Sequence, residues 1–518
     1  MATTVIDFWK ANPSFWIATG SKQREADEFI RDNFWCFDRC SQNLIGTIIY
    51  FDQFSRHFQR VGLLLEEHVL DYRLAAVDLV HLRLEELKTM DEVEIVFALM
   101  PFKHTGRFDF IFDYLHEVWL PWHNKTIIEL PVLQKFYMDT YKKAFTLDTV
   151  RSSLINVHDA AAYDAAAICD YHPQRYTRDS WGIGLLTTCK EIEVLKMMVP
   201  RDGPVIVSLS GGVDSMVMLA LLAHMGASVH AVHIVYGNRA QSEDEYRFLV
   251  TFCQRLGVPL WAYRVKWLRR GEVDRQFYED MTRDLRFMAY KAVGQMLCVE
   301  PRVLLGHIKD DVVENIWTNI AHCHHLGNLK KMESEEVQQG VRIQRPFLEA
   351  EKTDIYAVSA QWAIPFLKNT TPSWSNRGKF REHFHAATME QFGPGIDTKL
   401  IEFAEAMRAQ SVLLNKLLYD PIYESFTDNT VDITTAVKAR LDAAAWLTIF
   451  EHLCHTRLGV GRPSIKCVRD FSERLGRWAS GGSGRLSSTL RAEMGKEFHI
   501  LVQGGEGAGK YSMKFVVA

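Results

Sequence analysis

The spacing of apolar and polar positions changes character along the chain. From Val5 to about Lys143 apolar residues recur three and four apart and Pro and Gly are sparse, which predicts an all-helical region. Beyond residue 200 the pattern becomes short β-branched runs separated by helical stretches. Residues 205–208, 228–235, 260–265 and 303–305 read as strands, with helices over 213–220 and 278–295. Strands alternating with helices predict a doubly wound parallel sheet, whose ligands sit at the carboxyl ends of the strands. From Lys399 helical spacing returns and is strongest over 441–453 and 464–478. The run Ala479-Ser480-Gly481-Gly482-Ser483-Gly484 interrupts it, and short strands follow around 485–490 and 498–502.

A chain of 518 residues is too long for one core. The expected division is an all-helical domain over 1–170, a helical linker over 171–199, an α/β domain over 200–390 and a mostly helical α+β appendage over 395–518. The turn Pro200-Arg201-Asp202-Gly203-Pro204 is the sharpest boundary, so the helical domain is expected to be dispensable for catalysis. A net charge of −4 confines any nucleic-acid binding to local basic patches. Nine cysteines without a Cys-x-x-Cys pair read as reduced thiols. The start has no targeting pattern and no apolar run approaches membrane-spanning length, so the expectation is a soluble cytoplasmic protein without a membrane partner.

Candidate chemistry begins where the first strand of the α/β domain meets its helix, at Ser210-Gly211-Gly212-Val213-Asp214-Ser215. Two glycines let backbone N–H groups turn inward, and the helix that follows adds its positive end, so the turn can cradle a phosphate chain. Asp214 beside that cradle suits Mg²⁺ or a proton transfer. The Gly-Lys-Ser/Thr ending of a Walker loop is missing, and the stretch resembles the PP-loop of ATP pyrophosphatases, of the adenine nucleotide alpha hydrolase-like fold. His233 to Arg239 and Gly306-His307 also fall at strand ends. In Gly306-His307-Ile308-Lys309-Asp310-Asp311-Val312-Val313-Glu314-Asn315, helical spacing puts His307, Asp311 and Glu314 near one face.

Within the PP-loop group the set resembles the tRNA(Ile)-lysidine synthetase family. That family carries Ser-Gly-Gly-x-Asp-Ser, His-x-x-His-Gly-x-Arg, Glu-x-x-Ala-Arg-x-x-Arg-Tyr and Gly-His-x-x-Asp-Asp-x-x-Glu-Thr. Here these stand at 210–215, 233–239, 279–287 and 306–315, in that order and with internal spacing kept. Tyr236 replaces the second His, Thr282 the Ala, Phe287 the Tyr and Asn315 the Thr. Arg345-Pro346-Phe347-Leu348 resembles Arg-Pro-Leu-Leu, and 371–377 resembles an altered Asp-Pro-Ser-Asn segment.

The resemblance implies a ligase that uses ATP and Mg²⁺ and has tRNA and free lysine as partners. ATP adenylates the 2-carbonyl oxygen of the wobble cytidine in an isoleucine tRNA with a CAU anticodon, and the lysine amine displaces AMP to give lysidine. It implies ATP binding by Ser210, Gly211, Gly212, Val213, Asp214, Ser215, His233, Arg239, Gly306 and His307. Catalysis is expected from Asp214, Asp311, His307 and Arg283, with Asp214 and Asp311 as candidates for Mg²⁺ or for accepting the amine proton. Arg286, Arg377, Lys379 and Arg381 are expected on the tRNA. Another PP-loop enzyme (a tRNA thiolase or amide-forming ligase) and a tRNA-binding protein without catalysis stay open beside this reading.

From Lys368 to Arg381 there are four basic residues, no acidic one, and Trp374, which suits an RNA backbone and an unstacked base. From Arg457 to Lys514 eleven Lys and Arg face five Asp and Glu, which favours a nucleic-acid-binding appendage. His322-Cys323-His324-His325 is read as a loop and not a metal site, because adjacent residues rarely all face one ion. Gly504 to Tyr511 nearly spells a Walker loop, but Tyr511 stands at the Ser/Thr position and too few residues follow for a helix, so a hairpin-like turn is expected. In the helical region, Asp52-Gln53-Phe54-Ser55-Arg56 and Pro101-Phe102-Lys103-His104 resemble an uncharacterised tetratricopeptide-like helical family. Asp52, Arg56 and His104 are read first as a buried hydrogen-bonded cluster.

Overall fold

In a computed structural model of the chain, described residues are 5–13, 20–33, 43–157, 190–199, 203–238, 241–322, 326–367, 376–480, 489–494, 498–504 and 510–517. They fall into two compact units, Met1–Lys309 with Ser334–Pro372, and Asp310–Glu333 with Ser373–Ala518. Among them no helix is long and apolar enough to cross a membrane.

The first unit is built on a seven-stranded sheet of order β1-β4-β3-β2-β5-β7-β6. Its strands are β1 (Ile155–Asn156), β2 (Val205–Ser208), β3 (Val229–Val235), β4 (Leu260–Arg264), β5 (Arg302–Leu304), β6 (Glu335–Gln338) and β7 (Val341–Gln344). The five strands from β4 to β7 in that order are parallel, and β1 and β6 close the two edges antiparallel. The predicted doubly wound sheet is therefore present. Its strands alternate between two cores because successive side chains point to opposite faces. Val205, Val207, Ala231, Ala262 and Leu304 join one core with the helices Val213–His224 and Ser242–Leu256. Ile206, Val232, Tyr263 and Val303 join the other, against the helix Arg275–Met296. That helix starts where the Asp274 carboxylate accepts the Phe277 N–H at 2.9 Å.

Three strands of this sheet carry no strand reading in the sequence, β7 and the two edge strands, and each edge strand overlaps a stretch with a different reading. Glu333 to Glu336 reads as a solvated loop, yet Glu335–Gln338 forms β6, hydrogen-bonded in register Glu335↔Gln344 to Gln338↔Val341. Gln339 and Gly340 both have positive φ, the requirement of a tight hairpin turn. An edge strand faces solvent, so its composition carries little apolar signal. Residues 156–167 read as helix or tether, but Asn156, with Ile155 before it, pairs with the strand at the opposite edge, in register Ile155↔Ala262 and Asn156↔Trp261; residues 158–167 lie outside the described residues.

The amino-terminal region is all-helical as expected, and it shares a core with the sheet. Phe112, Tyr137 and Tyr141 belong to the same buried cluster as Ile206, Val232 and Tyr290. Tyr137 and Tyr141 donate their hydroxyls to the carbonyls of Trp267 and Lys266, and the Trp267 indole N–H reaches Asp113 at 2.8 Å. Asp52 is fully buried, with His104 Nδ1 at 2.8 Å and Arg73 Nε at 3.4 Å. The hydrogen-bonded cluster therefore joins Asp52 to a half-buried His104, while Arg56 is exposed and lies outside it.

The second unit carries a four-stranded antiparallel sheet, β8 (Thr430–Asp432), β11 (Tyr511–Val517), β10 (Phe498–Gly504) and β9 (Thr489–Glu493) in spatial order. The helices Ala443–Leu453 and Ile465–Ala479 pack on it through Trp446, Phe450 and Phe471, each started by a capping side chain, Asp442 and Ser464. Gly504 pairs with Tyr511 across the antiparallel β10 and β11; residues 505–509 of the near-Walker segment lie outside the described residues.

Candidate active site

The loop after β2 is organised by its own hydroxyls. Ser215 Oγ donates to the Gly212 carbonyl at 3.0 Å and lies 3.1 Å from Ser210 Oγ, and Ser210 Oγ accepts the Gly212 N–H at 3.3 Å. Gly211 has φ +84°, a conformation that favours glycine, and a Cβ there would lie 2.6 Å from a Leu367 side-chain carbon. Leu367 also donates its backbone N–H to the Gly211 carbonyl at 2.9 Å. Val213 begins the helix Val213–His224 directly, so backbone N–H groups at its start lack intrahelical partners and can face an anion.

Neighbouring strand ends hold this loop in place. His233 is buried and donates Nδ1–H to the Leu209 carbonyl at 2.8 Å. Burial pushes its pKa down to about 4, so the imidazole is neutral at physiological pH. Tyr290 donates its hydroxyl to Ser208 Oγ at 2.7 Å. Gly306, after β5, approaches so closely that a Cβ would lie 3.0 Å from the Ser215 nitrogen and 3.3 Å from Asp214 Cβ. His307 accepts from Arg345 Nε at Nδ1, 3.0 Å away. A guanidinium can only donate, so the His307 proton sits on Nε2. Arg345 is itself buried and paired with Glu336 of β6.

Asp214, in the first turn of the helix, is bound by Lys352 Nζ at 2.9 Å to Oδ1 and 2.8 Å to Oδ2. Lys352 opens the helix Lys352–Gln361 and has no local motif to mark it, so sequence reasoning missed it. The two arginines of the helix Arg275–Met296 differ in setting. Arg283 is exposed and paired with Asp280 at 2.6 Å. Arg286 is half-buried, and its charge acts on both Tyr236 and Tyr290. Tyr236, in place of the family His, is pushed up by burial. Thr282, in place of Ala, returns its hydroxyl to the Tyr278 carbonyl at 2.8 Å. Arg239 lies outside the described residues, as does Trp374.

In the second unit Asp311 is 4% exposed and is held by Arg377 and by Arg381, the latter at 2.7 Å. Glu314 takes Arg377 Nε at 3.1 Å and Arg381 Nε at 3.5 Å. Burial nonetheless pushes Glu314 up to about 7, against the opposing charge of Arg381. Arg377 and Arg381 are thus engaged with acids of their own unit, whereas Lys379 is exposed. Asn315, in place of Thr, accepts from Asn319 Nδ2 at 3.1 Å and from the Lys331 N–H at 3.3 Å, which ties down the turn after its helix. No group of three or more His, Cys, Asp or Glu able to hold a metal occurs among the described residues, and 323–325 lie outside them.

Residues 186–381 match the family described as PP-loop domain. Over these residues the chain is similar to a PP-loop domain. A tRNA(Ile)-lysidine synthase of Chlamydia muridarum (strain MoPn / Nigg) is 28% identical over 269 residues, 51% of this chain and 82% of that protein. One of Chlamydia felis (strain Fe/C-56) is 27% identical over 266 residues, again 51% and 82%. One of Actinobacillus pleuropneumoniae serotype 3 (strain JL03) is 24% identical over 237 residues, 45% of this chain and 55% of that protein. Within the PP-loop domain the geometry brings together Ser210, Gly211, Gly212, Asp214, Ser215, His233 and Gly306, and adds Lys352 and Leu367. Arg283 is left at the surface.

Proposed function

We propose that the chain is an ATP-dependent tRNA-modifying ligase that adenylates the wobble cytidine of a tRNA(Ile) with a CAU anticodon and joins lysine to it. The observation that carries this reading is the PP-loop itself, closed by Gly306 against Ser215 and carrying Asp214 at its helix start. Relatives named tRNA(Ile)-lysidine synthase, matched over 82% of their length, support the choice of substrate.

In this reading the backbone N–H groups at 211–215 receive the pyrophosphate as it leaves, and the helix start stabilises its charge. Arg286, half-buried near the Tyr290 that anchors β2, is better placed than the exposed Arg283 to neutralise charge in the nucleotide. His307, with its proton on Nε2, offers a donor to the phosphates. Asp214 would offer Mg²⁺ a carboxylate only by giving up the Lys352 ammonium that holds both its oxygens, and that ion is commonly held by one or two carboxylates plus substrate phosphates. Mg²⁺, when bound, would neutralise phosphate charge. Asp311 meets two guanidiniums instead, so its part is better supported as the anchor of Arg377 and Arg381. tRNA contact is assigned to Lys379 and the basic carboxyl-terminal region, and the proposed compartment is the cytoplasm, where tRNA is used.

The test is purified protein with ATP, Mg²⁺, radiolabelled lysine and candidate tRNAs. The expected result is lysine incorporated only into the CAU-anticodon tRNA, with one pyrophosphate released per lysine. ATP turnover with tRNA but without lysine incorporation would replace the reading with another PP-loop modification.

A further inference from the structure

The amino-terminal helices line an open cavity of about 850 Å³, distant in sequence from every PP-loop motif. Six cationic side chains line it, Arg56, Arg60, Lys103, Lys135, Lys142 and Lys143, against one carboxylate, Asp139. Arg60 is neutralised by Asp27 at 2.7 Å. The other five have no ion pair among the described residues. Like charges gathered at a cavity repel one another and gain when a polyanion enters. Burial already pushes Lys103 down to about 8, so its ammonium is held in a setting that favours an arriving negative charge.

The lining is also apolar on one side. Phe97, Met100 and Phe136 contribute to it, and Lys103 Nζ stands 4.9 Å above the Phe136 ring. A bare inorganic anion would leave that side wet. An aromatic body joined to phosphate would use both halves, with the ring on the apolar wall and the phosphate among the ammonium groups. Pockets of this size take molecules on the scale of a nucleotide.

The backbone is arranged around the same place. Tyr50–Phe54 is a π-helical turn, a feature that recurs at functional sites. It carries Asp52 into the core, where His104 and Arg73 hold it, and leaves Gln53 on the cavity, beside Arg56 of the helix Ser55–Arg60 that follows. The polar islands singled out in the sequence therefore divide into a buried support, Asp52, and a cavity wall, Gln53, Arg56, Lys103 and the His104 that holds Asp52.

We propose that this cavity is a second anion site that binds a nucleotide monophosphate unit, either free or as the 5′-phosphorylated end of an RNA. The proposal does not depend on the reaction assigned to the PP-loop. Isothermal titration of the full chain with AMP tests it, since AMP can enter both sites. The expected result is two AMP sites, with one lost in Lys142→Glu/Lys143→Glu, whose side chains are exposed and whose replacement leaves folding intact. Lys103→Met/Lys135→Met, checked by thermal melting, should lose the same site. A 5′-phosphorylated RNA trinucleotide distinguishes the sources: binding at least tenfold tighter than AMP assigns an RNA end, and equal or weaker binding assigns the free nucleotide. The proposal is overturned if neither variant loses an AMP site that the unsubstituted protein has, whether or not the PP-loop itself binds AMP.

Discussion

Asp214 is the residue whose chemistry depends most on a partner the sequence does not announce. Lys352 lies 138 positions away, yet it places an ammonium on both carboxylate oxygens. If the pair acts together, Asp214→Asn should lower lysine incorporation by roughly a hundredfold, the scale of a lost general base or metal ligand. Lys352→Met should lower it too, and the double variant should be no slower than the slower single, a coupling that pyrophosphate-release rates can measure. Glu314 supports a second prediction. Its native pKa of about 7 exceeds its ordinary value of 4.5, so the folded form binds the proton more tightly. The stability this contributes is complete below pH 4.5 and is lost as pH rises through 7. Melting temperature across that window should therefore fall less steeply in Glu314→Gln; an unchanged slope would mean that the two arginines, and not burial, govern this carboxyl.

Among elements, the close approach of the Gly306 segment to the PP-loop helix permits only glycine without movement. A methyl group there would meet backbone, which cannot swing aside, at 3.0 Å. Gly306→Ala should cost about 1–3 kcal/mol in denaturant unfolding and weaken ATP binding, since overpacking forces backbone shifts. Binding at the unsubstituted affinity would show that the loop yields freely. The amino-terminal helices belong with the sheet for a similar reason of contact. The sequence boundary at 200–204 suggests a dispensable domain, but Tyr137, Tyr141 and β1 all bond to the β4 region. A chain beginning near residue 185 would uncover Trp267 and Phe277, which pack against the rings of Phe112 and Tyr141. It should aggregate, or melt on the order of 10 °C lower, because several kcal/mol of apolar burial is removed. A soluble fragment with an unchanged melting temperature would restore the dispensable reading.

At the scale of the whole molecule, the carboxyl-terminal core around Trp446, Phe450, Phe471 and Phe515 is complete within residues 418–515. Ending the chain after Leu414 should leave the PP-loop able to bind ATP while weakening tRNA binding. The dependence of tRNA affinity on salt should also flatten, because fewer phosphates are neutralised. A filter-binding salt series on both proteins checks this, and identical slopes would remove the tail from the tRNA interface.

The sequence by itself determined the local architecture. Continuous β-branched runs placed β2 to β5, because those strands are buried on both faces, and three-to-four spacing placed the helices between them. Ser210 to Ser215 and Gly306-His307 were legible for a related reason: their chemistry lies in contiguous residues at strand ends. Edge strands β1 and β6 were not legible, since an edge needs backbone pairing more than an apolar side chain. Lys352 on Asp214, Leu367 over Gly211, and Arg377 and Arg381 on Asp311 and Glu314 were decided only by the tertiary structure. The basic cavity among the amino-terminal helices was decided in the same way. Long polar side chains carry no periodic signature of their partner, and which charges meet is settled only when distant elements pack.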